Sequence, residues 1–178
     1  MPRNRRPQDR EEKLAEIVAA ATALFTETGF DETSMAKVAS AAGVTTNTIY
    51  WYFADKDALL VAVLDAVLGA ALAEAARESG RPWTEQVLWA VDRLDTYKRL
   101  VTVVHARAAT SEVVGLWHDN FHALVDTMMV EGFREAGVAE GDLAAMTKIG
   151  AFVVEGLLTH SHGEQDRRAI IGLLTQPR

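Results

Sequence analysis

From Thr45 to Trp51 the chain reads Thr-Thr-Asn-Thr-Ile-Tyr-Trp, and every residue but Ile49 carries a hydrogen-bonding group. The Asn47 amide sets a donor beside an acceptor and can meet an adenine edge in two places, while the Trp51 ring can pack on a thymine methyl or a sugar. Either residue can equally be a spacer. The hydroxyls of Tyr50 and Tyr52 and the Lys56 ammonium suit phosphate oxygens, and those of Thr45 and Thr46 suit the groove. At 100° per residue, positions 46, 47, 50 and 51 share an arc of roughly 140°, and Ile49 lies outside it as a core anchor. A short polar and aromatic face of this kind suits a DNA major groove.

Such a face needs elements that hold it. Met35, Val38, Ala39 and Ala42 recur at the spacing of one buried helical stripe. Thr33 or Ser34 can cap that helix, and Thr45 can cap the next. Between them Gly43 can take the left-handed backbone that ends one helix and turns the chain into another. Residues 29–56 therefore read as a helix-turn-helix. Before it, Leu14, Ile17, Val18, Ala21, Leu24 and Phe25 stripe a helix over about 10–28, stopped by Gly29.

Gly29-Phe30, Thr33-Ser34-Met35, Ala39 through Val44, Thr48-Ile49-Tyr50, Tyr52-Phe53 and Asp55-Lys56 through Leu59-Leu60 together resemble the DNA-binding signature of the TetR family of bacterial transcriptional regulators. The resemblance covers residues 10–65. Family members often have Gly where this chain has Asn47, and a basic residue or His where it has Trp51, so relatives do not give the operator sequence. On the resemblance, Thr45, Thr46, Asn47 and Trp51 face the groove. Tyr50, Tyr52 and Lys56 grip phosphates, and Thr33 or Ser34 anchors the helix before.

Beyond residue 55 the pattern stays helical. A long helix runs from Asp55 to about Arg77 and breaks at Ser79-Gly80-Arg81-Pro82. Further helices are expected at about 84–96, 98–108, 111–136, 141–160 and 165–175. The fold class is all-α, about nine helices, with an N-terminal three-helix module over 1–54 and a helical bundle over 55–178. Aromatic and imidazole groups gather in the second part, among them Trp89, His105, Trp117, His118 and Phe121. The resemblance implies a small-molecule effector pocket there, and these five are its expected lining. His118 and His122 stand one turn apart, but two imidazoles alone do not lead us to expect a metal, and no cofactor is expected. Leu143, Met146, Ile149, Gly150, Val153, Val154, Leu157 and Leu158 exceed one buried stripe. The resemblance implies a homodimer through the last two long helices, with Met146, Ile149, Val153 and Leu157 at the interface.

The net charge of −7 disguises an uneven distribution: residues 1–13 hold five basic against three acidic side chains, whereas 57–178 hold eleven against seventeen. The basic arm, with Arg3, Arg5, Arg6 and Arg10, can lie along phosphates or in a minor groove. No Cys occurs, which excludes disulfides, thiolate metal sites and a cysteine nucleophile. No phosphate loop, Gly-x-Ser-x-Gly elbow or His-Glu-x-x-His helix occurs either, so an enzyme is not expected. With no leader-like start and no apolar run of ~18–20 residues, a cytoplasmic protein without a membrane partner is expected. The leading expectation is a ligand-responsive repressor that releases a palindromic operator. The alternative is a helical ligand-binding or protein-interaction module without sequence-specific DNA binding.

Overall fold

The computed structural model describes residues 7–77 and 79–176. Nine α-helices and no strand occur among them: α1 Pro7–Glu27, α2 Met35–Ala41, α3 Thr46–Tyr52, α4 Lys56–Arg77, α5 Trp83–Thr96, α6 Lys98–Ala108, α7 Glu112–Glu135, α8 Leu143–Thr159 and α9 Glu164–Leu174. A 3₁₀ turn at Glu140–Asp142 leads into α8. The all-α class and the order of helices agree with the sequence reading. Arg3, Arg5 and Arg6 of the basic arm lie outside the described residues.

Helix contacts divide the chain into two compact units, one of residues 1–70 with 99–117, the other of 71–98 with 118–178. The first half of α4 therefore packs with the helix-turn-helix. A division by function at residue 54 is a separate matter and stays a proposal.

In the first unit the core is built from the expected stripes. Ile17, Ala21 and Phe25 of α1, Met35, Val38 and Ala39 of α2, Ile49 of α3 and Leu59, Leu60 and Val63 of α4 are all buried. Phe25 meets Phe30 edge to face, with centroids 5.1 Å apart. Two glycines make the turns. Gly29 (φ +112°) ends α1, and Gly43 (φ +64°) separates α2 from α3, both in the region that penalises a side chain.

The second unit packs Val87, Leu88 and Val91 of α5 with Met129 and Phe133 of α7, Leu143, Met146 and Leu157 of α8, and Ile171 and Leu174 of α9. Gly150 lets α8 approach α7 so closely that a Cβ there would strike the Met129 side chain. Thr84 and Thr175 join α5 to the end of α9 by a hydroxyl pair at 2.6 Å.

No uninterrupted apolar run of ~18–20 residues occurs in α4, which Asp57, Asp65 and Glu74 interrupt. α4 has 22 residues and is long and apolar enough by length and composition to cross a bilayer. Every 18-residue stretch of it holds at least two charged side chains, Asp65 and Glu74 in the least charged of them. Part of that apolar surface, at Leu59, Leu60, Val63 and Leu64, is buried in protein.

Candidate nucleic-acid interface

Backbone chemistry at the helix ends sets the pose of α3. Ser34 has extended backbone angles and its hydroxyl accepts from the Lys37 N–H, capping α2. Thr45 does the same for α3, accepting from the Thr48 N–H at 3.2 Å, and its hydroxyl pairs with that of Thr48 at 2.9 Å. Each cap satisfies a donor that a helix start otherwise leaves without a partner, contributing about 1 kcal/mol. Ile49 is fully buried and pins α3 to the unit's core. The opposite face is then turned outward. Asn47 is exposed, Tyr50 is 52% exposed and Trp51 64%, unusually open for such large rings. Thr46 is half-buried at the edge of that face.

Tyr52 is half-buried, and its hydroxyl donates to the Arg10 carbonyl of α1 at 3.4 Å. Its ring meets Trp51 at 4.7 Å and 88°. The structure thus gives Tyr52 a bracing contact inside the protein.

Two of the expected contacts are placed otherwise. Thr33 is wholly buried and its hydroxyl donates to the Gly29 carbonyl at 2.7 Å, so it pins the loop after α1 and has no surface to offer a phosphate. Ser34 alone takes the cap. Lys56 donates to the carbonyls of Phe30 and Thr33 at 2.8 and 3.1 Å, and its ammonium stands 4.0 Å from the Phe30 ring centroid. Its charge is spent tying α4 to the Phe30 loop. The first turn of α4 starts beside these two loop carbonyls; that of Phe30 also accepts the Thr33 N–H at 3.2 Å, and Lys56 adds a charged donor to both.

Phe30 is also covered by Arg107, whose guanidinium carbon lies 5.3 Å from the ring centroid. Arg107, in the last turn of α6, pairs with Asp57 of α4 at 2.5 Å. Burial pushes the Asp57 carboxyl up, but hydrogen bonds from Arg107 and Ser111 outweigh it and hold the group below 3.8. Sequence reasoning missed this cluster. Its members are far apart in the chain and follow no spacing rule, so only an aromatic directly after the Gly29 turn hinted at a packing hub.

The other expected residues divide between the units. In the first, His105 is exposed on α6, and Trp117 of α7 donates its indole N–H to Asp65 of α4 at 2.8 Å. In the second, His118 and His122 lie ring to ring at 4.4 Å, and Phe121 meets His122 edge to face at 5.8 Å. Trp89 of α5 is half-buried with the Arg93 guanidinium 5.6 Å from its centroid. On α8, Met146 and Leu157 turn into the unit's own core and Val153 packs partly against it, while Ile149 is 48% exposed. Phe152 of the same helix is 71% exposed, and was overlooked because the whole helix is apolar.

Known proteins resemble the chain in its helix-turn-helix sequence and in its fold. Residues 17–63 match the family model described as "Bacterial regulatory proteins, tetR family". The chain is 44% identical over 54 residues to the HTH-type transcriptional regulator HbdR of Aromatoleum sp. (strain CIB), a stretch that is 30% of this chain and 24% of that protein. The chain thus matches only about a quarter of that relative's length. Over the whole fold it is similar to a transcriptional regulator from Rhodococcus sp. Rha1, with TM-score 0.73, 18% identity and coverage of 91% of this chain and 93% of that one. It is similar too to the regulator FadR from Bacillus subtilis in complex with stearoyl-CoA, with TM-score 0.64, 18% identity and coverage of 92% and 98%.

Proposed function

The chain belongs to the tetR family of bacterial regulatory proteins, and from that premise we propose that it is a DNA-binding transcriptional regulator, a repressor released from its operator by a small molecule. The observation that carries the reading is α3. A capped, core-anchored helix keeps Asn47, Tyr50 and Trp51 outside the fold, where burial gives them nothing. Asn47 and Trp51, with Thr45 and Thr46, read the major groove, and Tyr50 and Tyr52 hold phosphates. Residues 1–54 act as the DNA-binding domain and 55–178 as the part that binds ligand and pairs with a second copy.

Pairing runs through α8 and α9, where Ile149, Phe152 and Leu173 leave apolar surface uncovered. A two-fold axis then presents two copies of α3 to an inverted repeat. The effector is a small molecule of mainly apolar surface, met in the helical part after residue 55. In support, one similar structure is described as a complex with stearoyl-CoA. α4 is the lever, since it starts at the helix-turn-helix and continues for 22 residues.

Control needs the ligand to prefer the form that does not bind DNA. A 100-fold drop in DNA affinity demands about 2.7 kcal/mol of that preference, and linkage requires DNA to weaken ligand binding by the same factor. A thermal-shift screen of metabolites finds the ligand, because one at 100 times its Kd stabilises by about 2.7 kcal/mol. Calorimetry with and without operator then tests the reading. Equal ligand affinities in the two titrations would remove ligand control from it.

A further inference from the structure

Beside the Tyr52 contacts described above, a second contact joins α1 to the end of α3. The guanidinium carbon of Arg10 stands 4.7 Å from the centroid of the Trp51 ring. The same residue's carbonyl accepts the Tyr52 hydroxyl, and the Tyr52 ring in turn stands edge to face with Trp51. One residue of α1 thus holds the end of α3 twice, by its side chain and by its main chain.

The contact has two consequences. An indole that is 64% exposed has few neighbours to select its rotamer. A cation over its face favours one orientation by about two- to fivefold, and the Tyr52 ring restricts it further. A guanidinium on an aromatic face acts through its charge and plane, so its N–H donors remain usable for an oxyanion. Arg10 is exposed and can reach one.

We infer that Arg10 is a specificity-determining partner of Trp51, clamping the indole in one orientation toward the duplex and supplying a positive charge to the adjacent phosphate. α1 and α3 then read one step of DNA as a unit. The role rests on the DNA-binding reading above. It goes beyond that reading because Trp51 alone would discriminate weakly: an indole free to turn fits several base steps about equally well.

The test uses the full chain, the duplex it enriches from a random pool, and single-base variants of that duplex. Arg10→Gln should weaken binding to the enriched duplex about fivefold. It should also lower the salt slope by about one per subunit and flatten discrimination at a single base step. In a Trp51→Ala background the effect on discrimination should vanish while the effect on the salt slope stays. Arg10→Lys should restore the slope and only part of the discrimination. Without DNA, the Trp51 indole N–H resonance should move in Arg10→Gln. Unchanged discrimination, a resonance that does not move, or losses that simply add in the double variant would overturn the role. Failure of the wild-type chain to enrich any duplex would overturn the DNA reading and this role with it, whereas enrichment by a chain indifferent to Arg10 would overturn this role alone.

Discussion

At the scale of single residues, the proposed function divides the exposed face of α3 into groups that specify and groups that hold. Tyr50→Phe removes one hydroxyl and should weaken binding to every duplex alike, by about 1 kcal/mol. Asn47→Ala should instead relax preference at one base position and leave the others as they were. Binding constants over a panel of single-base operator variants separate the two; parallel losses for both variants would contradict the division. Lys56 makes an opposite forecast. Because its ammonium already serves two carbonyls and the Phe30 ring, Lys56→Met should cost about 1–3 kcal/mol of stability in a thermal melt. A phosphate-gripping lysine would show up mainly in the salt slope. The sequence made the outward residues legible because helical periodicity alone separates Ile49 from Asn47, Tyr50 and Trp51. It could not show that Lys56 was taken, since the two carbonyls that claim it lie 23 and 26 positions away.

At the scale of elements, helix bounds followed from caps, glycines and apolar stripes, and each helix appears within a few residues of its expected span. What the pattern concealed was partnership. α8 is apolar on several sides, so composition could not separate Met146 and Leu157, which fill the core beside α5, α7 and α9, from Ile149 and Phe152, which remain outside. The join of α6 to α4 was equally hidden, and it carries a pH signature. Asp57 is held below 3.8 in the fold by hydrogen bonds that outweigh the effect of burial. A carboxyl depressed in the native state stabilises it above the unfolded value, and that contribution fades as pH falls through the lower folded value. Wild type should therefore exceed Asp57→Asn in stability at neutral pH, with the gap closing below pH 3.8. Thermal midpoints of both proteins against pH measure this. A gap that stayed constant down to strong acid would mean that the Arg107–Asp57 pair adds nothing.

At the scale of the whole molecule, the account requires two copies acting together. Phe152→Glu puts a charge on surface that is 71% exposed in one subunit, so it should leave the subunit's own melt nearly unchanged, within about 0.5 kcal/mol. In sedimentation it should convert a dimer to a monomer, and it should abolish tight duplex binding in the same step; a monomer with full affinity would contradict the pairing. The central claim is that α3 reads a specific DNA sequence, and enrichment of duplexes from a random pool by the full chain tests it most directly. The account predicts an inverted repeat whose half-site centres lie a whole number of helical turns apart, each ~34 Å, and loss of that sequence from the enriched pool when Asn47 and Trp51 are replaced by Ala. Enrichment of no sequence, or binding that salt abolishes equally for every duplex, would contradict it.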